Sequence, residues 1–196
     1  MFWDRVAGVY DLFVNVYNRS VHRQLREVVS GWIEPGDKVL ECACGTGMLT
    51  EVIAPRCKVI TATDFSPKML QRAAKKCAAY QNASFETANI LDLRFQNDAF
   101  DVVVAANVIH LLDKPEAALR EMARVCRPGG RLIIPTYVNK EEAGRFDKTI
   151  DSAGADFKHD FTYAMYERFF ETHGYEVRSC ELIDGRVPCA VAVLTV

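Results

Sequence analysis

Apolar and polar positions follow two periods along this chain. Phe2, Val6, Val9, Phe13 and Val16 recur at the spacing of one helix face, and Val21, Leu25, Val28 and Val29 repeat it after Asn18-Arg19-Ser20 interrupts the run. Pro35-Gly36-Asp37 then makes a turn. Beyond it, short runs rich in branched residues alternate with helical stretches. The predicted strands are KVLEC (38–42), KVITATD (58–64), ASFETAN (83–89), FDVVVAA (100–106) and GRLIIPTYV (130–138). The predicted helices run from Thr46 to Ile53, Ser66 to Tyr80 and Pro115 to Cys126.

The helix ends have chemical causes. Ser66 can cap the second helix with Pro67 at its first position, leaving Met69, Leu70, Ala73 and Cys77 as the buried stripe. Pro115 opens the third, whose stripe is Ala118, Leu119, Met122 and Val125, and Arg127-Pro128-Gly129-Gly130 stops it. Strand and helix in strict alternation predict a parallel sheet covered on both faces. The last part changes character. FTYAMYERFFETHGY reads as a helix ending at Gly174, and EVRSCELI and PCAVAVLTV follow, split by Asp184-Gly185. Strands joined so closely pair as a hairpin, so the last one is predicted antiparallel. The expected fold class is α/β: a Rossmann-like, seven-stranded, mostly parallel sheet, helices on both faces, and an N-terminal helical lid.

Composition narrows the function classes. A chain of 196 residues is the size of one domain, and 49% hydrophobic with 26% charged residues is enough to build a core. A formal charge of -2 without a dense Lys/Arg block argues against a nucleic-acid partner. Apolar runs such as AVAVLTV fall far short of the roughly 20 residues of a spanning helix. The start lacks a basic segment leading into an apolar stretch, so the expectation is a soluble, cytoplasmic protein with no integral membrane segment. Its aromatic N-terminal helices could still rest on a membrane surface. Seven cysteines at irregular spacings do not make a disulfide framework, and Cys42-Ala43-Cys44 lacks a second ligand pair, so no metal site is predicted. Strand alternation is expected to send Cys42 and Cys44 to one face as small apolar residues.

The informative stretch is KVLECACGTG. An apolar strand, then Gly45-x-Gly47, then a helix is the arrangement that brings a ligand close to main-chain N–H groups. Asp64 ends the next strand, at the separation from which a carboxylate reaches ribose hydroxyls. Two nucleotide-like ligands compete. A dinucleotide site wants G-x-G-x-x-G, and the third glycine position falls on Thr50. S-adenosylmethionine has no pyrophosphate to place, and wants instead an acidic residue beside the turn; Glu41 stands there.

VLECACGTG resembles the first motif of the class I S-adenosylmethionine-dependent methyltransferases, TATDFSPKML the second and ANILDLRF the third. FDVVVAANVIHLL and RPGGRLII resemble the fourth and fifth, so five motifs in order span roughly Lys38 to Tyr137. The opening DRVAGVYD with VHRQLR is loosely similar to the quinone-biosynthesis C-methyltransferases, a similarity that the segment after the fourth strand does not continue. The resemblance implies a single domain, 1–196, with residues 1–34 as the lid and 37–137 as the cofactor-binding core. Residues 138–196 would supply the substrate-side segment, last helix and terminal hairpin.

It also implies roles. The bend Ala43, Gly45, Thr46 and Gly47 would line the methionine and ribose portion, with Glu41 beneath the ammonium. Asp64 would take both ribose hydroxyls, Phe65 and Met69 would flank the adenine, and Asn89 and the Ile90 N–H would meet its edge. Asn107 would lie near the methyl group. Ala43 replaces a common first glycine, and Asn89 stands where the family often has Asp. Bland alternatives remain open for several residues: Asp64 as a helix cap, Glu41 as a surface charge, Met69 as core and Asn89 as a turn former.

The expected activity is methyl transfer to a small molecule by in-line displacement, the product being S-adenosylhomocysteine. The alternative is a non-catalytic binder of the same cofactor. A base is needed only when the acceptor must lose a proton. His110 is the candidate, with Tyr10 beside it; Tyr17 and Tyr137 are the expected substrate contacts.

Overall fold

The computed structural model describes residues 18–139 and 158–196. Tyr10, Tyr17 and the first part of the expected lid lie outside the described residues. Helix α1 (Arg19–Gly31) leads into β1 (Lys38–Cys42) and the short α2 (Thr50–Ile53), then β2 (Val59–Asp64), α3 (Pro67–Lys76) and β3 (Ala83–Thr87). Strand β4 (Phe100–Ala105), a 3-10 turn (Ile109–Leu111), α4 (Pro115–Val125) and β5 (Cys126–Tyr137) follow. Helix α5 (Tyr163–Thr172) and the hairpin β6 (Glu176–Ile183) and β7 (Cys189–Thr195) end the chain.

The seven strands form one sheet in the order β3-β2-β1-β4-β5-β7-β6. All pairs from β3 to β5 are parallel, while β7 runs antiparallel between β5 and β6. Strand alternation sorts the core into two layers. Leu40, Val103, Leu132 and Ala192 pack with Leu119 and Met122 of α4 and Tyr166 and Phe170 of α5. Val39, Ile60, Val102, Val104 and Ile133 face the other way, onto Val21, Leu25 and Val29 of α1 and Ile53 of α2. The described part of the expected lid is therefore a core helix. Asn18 fixes its start to the terminal hairpin, its side chain donating to Val187 O at 2.8 Å.

Three local differences from the predicted elements have physical reasons. α2 starts at Thr50 and not Thr46, because the left-handed φ of Gly45 (55°) and Gly47 (82°) keeps the chain in turns until then. β5 takes up Cys126 to Gly130 directly after α4. Gly130 permits this: a Cβ there would sit 2.5 Å from Cys126 Sγ and 2.8 Å from Asp101 O. The two cysteines beside the bend do not share a face. Cys42 packs with Leu40 toward α4, whereas Cys44 packs with Ala62, Leu70 and Ala73 against α3. Ala43 between them has φ 53°, which breaks the strand alternation. Both thiols are buried, and burial pushes that of Cys42 up to about 12.

Candidate cofactor and active site

The bend after β1 is held from β2. Cys44 N–H donates to Thr63 O at 2.8 Å, and Gly45 N–H donates to Asp64 Oδ2 at 2.8 Å. The other oxygen of Asp64 accepts from Ser66 N–H at 2.8 Å, and Ser66 Oγ in turn caps α3 by accepting from Met69 N–H at 3.2 Å. The carboxylate thus clamps the glycine bend to the start of α3. Both of these donors are main-chain N–H groups.

The two glycines do different work. A Cβ on Gly45 would meet nothing within 4 Å, so its backbone borders open space. A Cβ on Gly47 would lie 3.1 Å from both Ala73 Cα and Cβ, so this glycine lets the bend seat on α3. That contact gives Gly47 a packing reason, and Gly47 is not among the residues that line the cavity.

A cavity of about 290 Å³ opens at the C-terminal ends of β1, β2 and β4. In the open sheet this is where strand order reverses, since β2 lies on one side of β1 and β4 on the other. Of the residues singled out from the sequence, Ala43, Gly45, Asp64, Phe65, Met69, Asn89, Ile90 and Asn107 line it. Phe65 is 54% exposed, a large apolar ring left at the mouth, and Met69 is both lining and core. Asn89 also shapes a turn, its Oδ1 accepting from Leu91 N–H at 3.0 Å. Asn107 has φ 51°, and its Oδ1 accepts from Tyr137 N–H at 3.1 Å, which ties the tip of β4 to the tip of β5. Ala88, Ala106, Val108, Leu111 and Leu112 complete the wall. No chemical signal marks small and aliphatic residues as lining before the loops are placed.

Five expected residues are not in that wall. Gly47 and Thr46 are turned into the packing of the bend, Thr46 being buried. Glu41 is 2% exposed and lies beneath the bend, its Oε2 accepting from Thr50 Oγ1 at 2.5 Å. Burial raises its pKa to about 8, the Thr50 hydrogen bond opposes the rise, and Asp64 adds to it. The reading of Glu41 as a surface charge is thereby excluded. His110 is buried in the 3-10 turn, its carbonyl accepting from the N–H groups of Lys158 and His159 at 2.9 and 3.1 Å. Burial, with His159 nearby, lowers its pKa to about 3. An imidazole so weakly basic is a poor proton acceptor at neutral pH, and His110 is not among the residues that line the cavity, although Val108 and Leu111 on either side of it are. Tyr137 is buried at the end of β5, its hydroxyl 2.6 Å from His22 Nε2. His22, a lone histidine among the apolar positions of α1, carried no sequence signal for this pairing.

Among the described residues no group of three or more His, Cys, Asp or Glu is gathered to hold a metal ion, and no helix is long and apolar enough to cross a membrane.

The family described as "Methyltransferase domain" matches residues 40–134. The chain is 34% identical over 137 residues to the ubiquinone/menaquinone biosynthesis C-methyltransferase UbiE of Bdellovibrio bacteriovorus, covering 67% of this chain and 58% of that protein. It is 31% identical over 134 residues to the demethylmenaquinone methyltransferase of Tropheryma whipplei, covering 67% and 56%. Matched segments therefore span under two thirds of these relatives. The DhpI–S-adenosylhomocysteine complex shares the fold, with a TM-score of 0.76 at 22% identity over 98% of this chain and 92% of that one. The matched domain runs from β1 to β5, the strands whose tips build the cavity, and the chain belongs to the class I S-adenosylmethionine-dependent methyltransferases.

Proposed function

We propose that this chain transfers a methyl group from S-adenosylmethionine to a small-molecule acceptor. The observation that carries the reading is the clamp: Asp64 fixes the Gly45 bend through one oxygen and the α3 start through the other, at the edge of the cavity. A carboxylate at that edge suits the two hydroxyls of a ribose, since its oxygens can accept from them side by side. Phe65 and Met69 offer flat and polarisable surface for a purine, and Asn89 with Ile90 offers its edge hydrogen-bonding groups. When bound, S-adenosylmethionine supplies an electrophilic methyl group on a good leaving group. The protein's share is then to hold the acceptor in line, an entropic contribution that can reach about 7–11 kcal/mol.

The acceptor end of the cavity is Ala106, Asn107, Val108, Leu111 and Leu112, a mostly apolar surface. It suits the flat apolar body of a quinol or phenol, and the proton such an acceptor gives up would go to a group other than His110, whose pKa burial lowers to about 3. Tyr10 and Tyr17 remain proposed contacts from the N-terminal segment, with Tyr137 held back by His22. One relative is named a demethylmenaquinone methyltransferase and the other a C-methyltransferase of ubiquinone/menaquinone biosynthesis, which makes a reduced demethylmenaquinone the first acceptor to try. The test is mass-spectrometric detection of time-dependent methyl transfer to it and to a panel of phenols, beside calorimetry with S-adenosylhomocysteine. Binding without turnover on any acceptor would favour a binding protein, and no binding would refute the site.

A further inference from the structure

Asn107 is the polar side chain at the apolar end of the cavity, among Ala106, Val108, Leu111 and Leu112. Two bonds fix it. Its main-chain N–H donates to Pro135 O at 2.8 Å, and its Oδ1 accepts from Tyr137 N–H at 3.1 Å. Both partners belong to β5, which flanks β4 on the side away from β1. The carboxamide is therefore drawn away from the Gly45 bend and Asp64, toward the side of the crevice that a nucleoside on that bend leaves open. With Oδ1 engaged by β5, the Nδ2 group is the end left for a ligand. Among the described residues nothing accepts its two hydrogens. Asn107 is half-buried, and the aliphatic side chains around it offer no hydrogen-bond acceptor.

We propose that the Nδ2 group of Asn107 selects the methyl acceptor by donating to an ionised oxygen on it, so that the site takes phenols, enols or quinols and rejects amines. The inference rests on reading the cavity as the S-adenosylmethionine site. Hydrogen bonds to an ionised oxygen are short and strong, and they favour the charged form over the neutral one. The hydroxyl proton passes to solvent as the anion forms. An oxygen has lone pairs enough to accept from Asn107 and still drive attack on the methyl group, from itself or from the ring carbon beside it. An amine has one lone pair, and the attack uses it, so its nitrogen cannot accept from Asn107 as it reacts. The apolar wall recognises the body of the acceptor, and this one donor recognises its chemistry.

The experiment is absorbance titration of 4-nitrophenol and 4-nitroaniline with protein saturated by S-adenosylhomocysteine, across the ionisation of the phenol, on wild type and Asn107→Asp. Aspartate keeps an oxygen for Tyr137 N–H and tolerates the φ of 51°, but its carboxylate has no hydrogen to donate. The wild type should lower the ionisation midpoint of bound nitrophenol by about one pH unit and prefer it to the aniline by about tenfold or more. Asn107→Asp should raise the midpoint above that of the free probe and lose the preference. Should that variant not fold, Asn107→Gly, which also bears the φ, should return the midpoint to that of the free probe. Nitrophenol that does not bind the loaded wild type, binds with an unshifted midpoint, or is unmoved by the substitution overturns the proposal. So does a tenfold loss of S-adenosylhomocysteine affinity in Asn107→Asp, which would give Nδ2 to the carboxylate of the cofactor. No binding of S-adenosylhomocysteine to the wild type overturns the cofactor site, and the proposal with it.

Discussion

Gly47→Ala and Gly45→Ala should separate two reasons for having glycine in the bend. At Gly47 the φ of 82° costs an alanine about 1–2 kcal/mol, because Cβ crowds the following carbonyl. Its methyl group would also stand 3.1 Å from Ala73 Cα, main chain of α3 that cannot swing aside, for about 1–3 kcal/mol of overpacking. Stiffening the unfolded chain returns about 0.4–1 kcal/mol. The net loss is about 2–4 kcal/mol, which at this chain length lowers Tm by roughly 5–15 °C. At Gly45 the methyl group meets nothing, so only the φ of 55° counts and the net cost is about 1 kcal/mol. Binding should invert the order. Gly45→Ala places its methyl group where a ligand would approach the main chain and should weaken S-adenosylhomocysteine at least about tenfold, on the order of 1.4 kcal/mol. Gly47→Ala should bind within about threefold of wild type. Urea unfolding and calorimetry on the two variants decide it. A Gly47→Ala protein of wild-type stability, or one that loses affinity more than Gly45→Ala does, would refute the assignment of the two glycines.

Asp64→Ala should both destabilise the fold by about 2–4 kcal/mol, since two charge-assisted bonds to Gly45 and Ser66 are lost, and weaken cofactor tenfold or more; wild-type affinity would remove it from the ribose. Glu41 makes the wild type lose stability with rising pH, because a carboxyl whose folded pKa is about 8 against an ordinary 4.5 binds more protons folded than unfolded. The loss runs at about 1.4 kcal/mol per pH unit between those values and levels above pH 8, and denaturant curves of Glu41→Gln should lack that slope. His110→Gln should leave the pH–rate profile unchanged between pH 6 and 9, as a group titrating near 3 contributes no limb there; disappearance of a limb near neutrality would restore it as a base. Cofactor affinity should also be retained in that variant.

The order of strands and helices, the antiparallel hairpin and the Asp64 strand tip could be read from the sequence because local chemistry sets them. Periodicity follows from burial on one face, Ser66 and Pro67 start a helix by their own hydrogen bonding and φ, and the short break at 184–188 brings the two last strands together as a hairpin. Residues of the cavity rim such as Ala43, Phe65 and Asn89 are implied by the resemblance of their motifs to the family, and they line the cavity. What local chemistry does not contain is the direction a side chain takes once the backbone bends. Cys42 and Cys44 part company at Ala43, a Cβ on Gly47 would meet α3, and His110 is buried outside the cavity lining. The state of Glu41 was equally beyond the sequence. A carboxyl group is charged or neutral according to what surrounds it in space, and it is burial beneath the bend, with Asp64 near and Thr50 bonded to it, that raises the pKa of Glu41.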